Sequence, residues 1–201
     1  EGKFRNPPNS ISREVSVFDR LKFFSSLLLS QNGSLELGAL EEHVLGSEEA
    51  LSQLAESAES NSITWIGHST FLVRLNGLTI LTDPIFSDRA SPLSFAGPKR
   101  RALLNINIEN LPLIDVVIVS HAHYDHLDTR TLDALPGKES ITAVVPLGLG
   151  TFFTDRGFVD VREVDWYDEV IVDTLKVTAY PAVHWSNRTP FDVNETLWMS
   201  Y

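Results

Sequence analysis

The stretch Asp115-Val-Val-Ile-Val-Ser-His121-Ala-His123-Tyr-Asp125-His126 decides how the rest of the chain is read. Its first half is a short apolar run of β-branched residues, the pattern of a strand buried on both faces. Its second half concentrates three of the six histidines of the chain in six positions. His121 and His123 are two apart, so an extended backbone projects both to one side. One metal ion can then accept a nitrogen from each imidazole, at about 2.0–2.1 Å. Asp125 and His126 follow where the chain turns toward a helix, and they address a second point close by, within reach of a second ion. The cluster stands directly after a buried strand, and in layered α/β sheets ligands gather at that edge.

Working outward, Asp83-Pro84 closes an apolar run, and Asp83 is read either as a turn residue or as the acceptor that fixes a ligand histidine's tautomer. His68, in Gly67-His68-Ser69 between two strand patterns, is read as a turn residue or as one that lines the site. His184, in Pro181-Ala-Val-His184-Trp185, again follows a strand pattern and is the natural third imidazole for the first ion. His43 lies in an acidic helical region and reads as a surface residue.

Two regions differ in pattern. Residues 1–60 read as an arm and helices packing on the domain: a polar arm with Pro7-Pro8, a helix over Val17 to Leu29, and one or two amphipathic helices over Leu35 to Ser60, divided near Gly46. Residues 61–201 read as the main domain. Strands are expected at Ile63–Ile66, Phe71–Leu75 and Leu78–Thr82, with Asn76-Gly77 as a two-residue hairpin. A long loop, 87–104, carries Arg89, Lys99, Arg100 and Arg101, a local positive charge able to receive a phosphate. Beyond the cluster the pattern predicts a helix from Asp128 to Leu135 capped by Asp128. A strand over Ile141–Pro146 and a helix over Gly148–Arg156 follow. Further strands are expected at Val161–Val164, Glu169–Val172, Lys176–Tyr180 and Thr196–Tyr201. Hairpins mixed with β-α-β units give an α/β class with layered sheets.

Composition narrows the chemistry. The net charge of −11 makes nucleic acid a poor partner, because basic surface supplies most of that attraction. There is no cysteine, so any metal is held by histidine and carboxylate. The run Leu27-Leu28-Leu29 is far too short to span a bilayer. The chain reads as soluble, in a cytoplasmic, periplasmic or, if an anchor was removed, membrane-associated setting.

These residues resemble a known family. His121-x-His123-x-Asp125-His126 is similar to the signature loop of the metallo-β-lactamase superfamily. Trp65-Ile-Gly-His68-Ser-Thr, Leu81-Thr-Asp-Pro-Ile-Phe86, Arg89-Ala-Ser-Pro92, Gly97-Pro-Lys-Arg100, Val145-Pro-Leu-Gly-Leu149, Asp165-Trp166 and His184-Trp185 resemble its branch containing N-acylphosphatidylethanolamine-hydrolysing phospholipase D and bacterial relatives. The resemblance runs from about Ile63 to Tyr201. It implies an αββα sandwich with two zinc ions, His121, His123 and His184 on the first, Asp125 and His126 on the second; manganese or iron suit the same donors. It implies a hydrolase using metal-activated water, with a small-molecule or lipid phosphodiester as substrate and peripheral membrane contact. Asp125 is then also the catalytic residue that orients the water. The family pattern continues with a Gly-Asp-Thr-Gly segment and a later histidine that this sequence lacks, so the chain is expected to hold only the N-terminal part of the fold. A lactonase or other esterase with the same site is one alternative. A non-catalytic metal-binding or interaction module is another.

Overall fold

The structure is a computed structural model and describes residues 2–10, 15–29, 44–102 and 104–201. His43 and the segment 35–43 of the expected helices lie outside the described residues.

The central element is a six-stranded sheet in the order β1-β2-β3-β4-β5-β6. Its strands are β1 (Ser62–Gly67), β2 (Thr70–Leu75), β3 (Leu78–Thr82), β4 (Val116–Ile118), β5 (Thr142–Pro146) and β6 (Asp160–Val164). The β2–β3 connection is the expected two-residue hairpin, with Leu75 opposite Leu78. Asn76 and Gly77 both take positive φ, 54° and 83°. That is the requirement of the tight turn whose twist matches the strands it joins. From β3 onward all neighbours are parallel. Because β1 and β3 are each antiparallel to β2, β1 runs in the same direction as β3. The C-terminal ends of β1, β3, β4 and β5 therefore share one edge, where Gly67-His68, Asp83 and Ser120-His121 emerge.

Period-two alternation divides the central strands between two cores. Leu81, Val117, Val119, Ala143 and Val145 face one cluster, together with Leu54, Leu132 and Phe153. These last three come from α2 (Ser47–Glu56), α3 (Thr129–Ala134) and α4 (Gly150–Thr154). Ile80, Val116, Ile118 and Val144 face the other. That second cluster is closed by Val172 of β7 (Glu169–Val172), Leu175 and Val177 of β8 (Leu175–Thr178), and Met199 of β10 (Met199–Ser200). β7 pairs with β8, and β9 (Tyr180–Pro181) pairs with β10, each as a two-stranded ladder. Helices on one face and small ladders on the other give the α/β layering expected of the sequence. Burial on both faces explains why β4 and β5 read as unbroken apolar runs.

Residues before position 60 contact this framework directly. Leu54 belongs to the helix-side core, and its carbonyl accepts from the Arg74 guanidinium at 2.6 Å. Asn6 Oδ1 accepts from the His184 amide and from Trp198 Nε1. The first helix, α1 (Val17–Leu29), leaves Phe18 and Leu21 exposed.

Several boundaries are shorter than the pattern predicts. The expected strand at 115–120 pairs as a ladder only over Val116–Ile118; Val119 still packs in the core, while the Ser120 amide and hydroxyl turn to Asp83. The expected helix at 128–135 spans Thr129–Ala134, with the Asp128 carboxylate accepting from the Arg130 amide as its N-cap. The expected helix at 148–156 spans Gly150–Thr154: Glu163 Oε1 takes the Gly148 and Gly150 amides as the first turn begins. The expected strand at 196–201 pairs only at Met199–Ser200.

The layered core sets a first expected result. Leu81 is fully buried between β2, β4 and the helix face. Leu81→Ala lowers stability by about 2–5 kcal/mol, through lost burial and the cavity left behind. In urea titration the midpoint falls while the slope is unchanged.

Candidate metal centre

Two donor groups converge at the shared strand edge. His121, His123 and His184 each offer a nitrogen, all within 4.8 Å of one another; His68, Asp125 and His126 form a second such group. His121 Nε2 lies 2.8 Å from His123 Nδ1 and 3.1 Å from His184 Nε2. The His121 ring also lies 4.2 Å, centroid to centroid, from the His126 ring. Asp125 Oδ2 stands 3.0 Å from His68 Nε2 and 3.6 Å from His126 Nε2. Sequence spacing alone does not place His68 beside Asp125; the parallel direction of β1 and β3 does.

The hydrogen bonds behind the rings assign their protons. The Asn187 amide nitrogen donates to the Thr189 carbonyl, so its oxygen faces His123. That oxygen is 2.8 Å from His123 Nε2, which therefore carries hydrogen and leaves Nδ1 bare. Asp83 Oδ2 is 2.8 Å from His126 Nδ1 and can only accept, so His126 Nδ1 donates, and the neutral form of this ring keeps its lone pair on Nε2. The Ser120 hydroxyl donates to the same carboxylate at 2.7 Å. Its lone pair then accepts from His121 Nδ1 at 2.9 Å, which leaves His121 Nε2 bare. In His121 and His123 the nitrogen without hydrogen is the one that points into the cluster.

This donor set fits a metal ion. The bare lone pairs of His121 Nε2 and His123 Nδ1, facing one another 2.8 Å apart, repel unless a cation lies between them. Tetrahedral zinc with bonds of about 2.0–2.1 Å sets its ligand atoms about 3.3 Å apart. Three imidazoles and a carboxylate-bearing neighbour group, with no thiolate, suit zinc, manganese or iron.

Electrostatics point the same way. Burial, with the neighbouring His126, His123 and His184, pushes the His121 pKa down to about 2. Burial lowers His123 to about 4 against an opposing hydrogen bond to Asn187. Burial also lowers His184. His126 differs: burial disfavours its charge, but the hydrogen bond and charge of Asp83, with Asp125, outweigh this and raise its pKa.

These directions set a pH dependence for the metal-free chain. Unfolded, the rings titrate near 6.5. Below that value the unfolded chain binds protons that folded His121 and His123 refuse until about pH 2 and about pH 4. Stability therefore falls as pH falls from 6.5, by up to about 1.4 kcal/mol per pH unit for each ring. His126 acts with the opposite sign; its contribution is complete below 6.5 and is lost as pH rises through its folded value. With His121 and His123 against one, the melting temperature of chelator-treated protein drops between pH 6.5 and pH 4. A flat or rising profile would contradict the buried neutral rings.

The segment after His184 grips the metal loop residue by residue, which the sequence pattern does not foretell. Ser186 Oγ accepts from the Ala122 amide, and Asn187 holds His123. The partly buried Arg188 guanidinium donates to the Ala122 and Leu127 carbonyls at 2.9 and 2.8 Å. It also donates to Thr129 Oγ1 and covers the Tyr124 ring at 4.1 Å. The only signal in the sequence is the run Ser186-Asn-Arg188 directly after a candidate ligand. Ser120 is equally silent there, since a serine ending a strand carries no signal by itself.

Comparison with known proteins gives the family. Residues 79–201 match the family described as the beta-lactamase superfamily domain. The chain belongs to the metallo-β-lactamase superfamily. An uncharacterised protein of Mycobacterium tuberculosis is 42% identical over 142 residues, 70% of this chain and 38% of that protein. The mitochondrial N-acyl-phosphatidylethanolamine-hydrolyzing phospholipase D of Saccharomyces cerevisiae is 39% identical over 142 residues, 69% of this chain and 30% of that enzyme. Among solved structures, CmlA, a diiron beta-hydroxylase from Streptomyces venezuelae, is similar with a TM-score of 0.47 and 26% identity. That match covers 61% of this chain and 24% of CmlA. The chain thus spans well under half the length of these superfamily relatives. No described helix is long and apolar enough to cross a membrane.

Proposed function

We propose that this superfamily member is a metal-dependent hydrolase of phosphodiesters, of the phospholipase D type, with zinc as its metal. The observation that carries the reading is the proton assignment: His121 and His123 are each held from behind so that the inward nitrogen is bare, and His126 is held through Nδ1 so that its other nitrogen faces the site. His121 Nε2, His123 Nδ1 and His184 Nε2 would hold the first ion. Asp125 and His126 would contribute to the second. When bound, the metal supplies an activated water nucleophile at neutral pH and polarises the bond attacked.

The chain's own groups do the rest. Asp125 is half-exposed and faces the cleft, placed to orient the attacking water and then to return a proton to the leaving oxygen. His68, His123, Asp125, His126 and His184 line one cleft of 2410 Å³. Its walls include the apolar side chains of Leu54, Trp65, Ile66, Leu104 and Ile106, while Arg100 and Arg101 supply positive charge. Apolar walls beside basic groups suit an amphiphile with an anionic head, such as a lipid phosphodiester. The likeness to the yeast phospholipase D supports the same class.

The test is zinc loading followed by assay. Zinc-loaded protein is expected to hydrolyse bis(p-nitrophenyl) phosphate and to lose the activity on chelation. Hydrolysis of a simple lactone with no phosphodiester cleavage would instead assign a carbonyl substrate to the same centre.

A further inference from the structure

We propose that Asn6, on the N-terminal arm, is a positioning residue for the metal centre: its side-chain oxygen fixes the backbone of His184 and with it the place of the third imidazole. The inference rests on the function proposed above and gives a task to an arm that lies outside the stretch 79–201 matching the family.

His184 stands on backbone that no ladder holds. β9 ends at Pro181, and residues 182–187 belong to no strand. Yet His184 Nε2 lies 3.1 Å from His121 Nε2, and the donors of a metal site must keep their places to within about 0.5 Å.

Asn6 supplies the missing hold. Its Oδ1 accepts from the His184 amide at 2.9 Å and from Trp198 Nε1 at 3.1 Å. A backbone amide and an indole can only donate, so the oxygen of Asn6 and not its nitrogen faces them, one lone pair to each. Trp198 is buried, and its indole N–H also reaches the Ala182 carbonyl at 2.9 Å. Through Asn6 the His184 backbone is therefore tied to a ring that the core holds still.

The arm keeps Asn6 in place from both sides. The Phe4 amide donates to the Asn194 carbonyl at 2.8 Å, and the Phe4 side chain packs against the second core. The Asn194 amide in turn donates to the carbonyl of Ser186, two residues past His184, at 2.7 Å. After Asn6 the chain reverses: the Pro7 carbonyl accepts from the Ser10 amide at 3.1 Å, with Asn9 at φ 68°. Proline followed by a residue of positive φ is the pattern of a type II turn. Pro7 also restricts Asn6 to extended backbone, and two prolines leave the unfolded arm less freedom to lose. Arg5, Asn6 and Pro7 line the same cleft as His184, so the clasp belongs to the wall of the site.

An arm that only packs would change stability alone. A positioning arm changes metal affinity, and the change follows the hydrogen bond. The experiment titrates cobalt(II) into metal-free wild type, Asn6→Ala, Asn6→Asp and His184→Ala, followed by the visible ligand-field bands. Hydrogen exchange of the His184 amide is read by NMR before metal is added. The cobalt step abolished in His184→Ala identifies the ion concerned. Asn6→Ala is expected to weaken that step about 10-fold and to speed exchange of the His184 amide. Asn6→Asp keeps an oxygen acceptor at the same reach and is expected to restore both. Wild-type cobalt affinity in Asn6→Ala, whatever its melting temperature, would overturn the positioning role and leave the hydrolase reading intact. An Asn6→Asp variant as weak as Asn6→Ala, or a cobalt step indifferent to His184→Ala, would do the same. A wild type with no cobalt step would overturn both.

Discussion

His121→Ala is expected to lose tightly bound metal and to lower hydrolytic activity by about three orders of magnitude. His121 is 4% exposed and is the ring around which the others gather, with centroids 4.5 Å from His123, 4.2 Å from His126 and 4.5 Å from His184. Its Nε2 is the shared neighbour of His123 Nδ1 and His184 Nε2, so its removal leaves the first site two donors. Lewis-acid stabilisation is worth several kcal/mol, and each increment of about 1.36 kcal/mol is tenfold in rate. Metal content by elemental analysis and the rate on bis(p-nitrophenyl) phosphate read the two effects separately. Metal-free His121→Ala should also be less sensitive to acid than metal-free wild type, because the ring that resists protonation down to about pH 2 is gone. Retained metal and rate in this variant would sink the assignment of His121 as a ligand.

Asp83→Asn is the second large effect, expected to weaken the second ion by about 10–100-fold while the chain still folds. Asp83 is buried, at 8% exposure, and receives three hydrogen bonds: from the Ser120 amide at 2.6 Å, the Ser120 hydroxyl at 2.7 Å and His126 Nδ1 at 2.8 Å. An asparagine oxygen can still take the Ser120 amide, which preserves the link between strand ends. Its amide nitrogen then faces His126 Nδ1 and donates to it. The imidazole proton moves to Nε2, and the nitrogen facing Asp125 no longer has a lone pair to give. The His126 pKa, raised in wild type chiefly against burial by Asp83, returns toward or below its ordinary value. A histidine NMR titration shows that shift, and cobalt titration shows the affinity. Wild-type affinity together with an unshifted His126 would refute the tautomer argument.

The candidate metal loop is legible in the amino-acid sequence because its donor groups are local. His121 and His123 share a side of an extended segment, and Asp125 and His126 follow at once, so no long-range fold is needed to bring four donors together. The buried strand preceding them is equally local: β-branched residues in a short run, with an Asn-Gly hairpin upstream, leave few alternatives. Composition settles the donor types, since a chain without cysteine offers only histidine and carboxylate.

What holds those donors is decided by tertiary structure. Asp83 reaches Ser120 and His126 across 37 and 43 residues because β3 and β4 are parallel neighbours, with Thr82 opposite Ile118, so both chains leave the sheet at the same edge. Asn187 meets His123 and Arg188 meets Ala122 and Leu127 across more than 60 residues, through a segment returning after β9. His68 comes to Asp125 because two antiparallel pairings turn β1 parallel to β3. Such contacts depend on strand order and direction, which hydrophobic period does not encode. The residues that offer donors to a metal are therefore written in one loop, while the residues that fix each tautomer, and the partner of Asp125, exist only where the sheet brings its edges together.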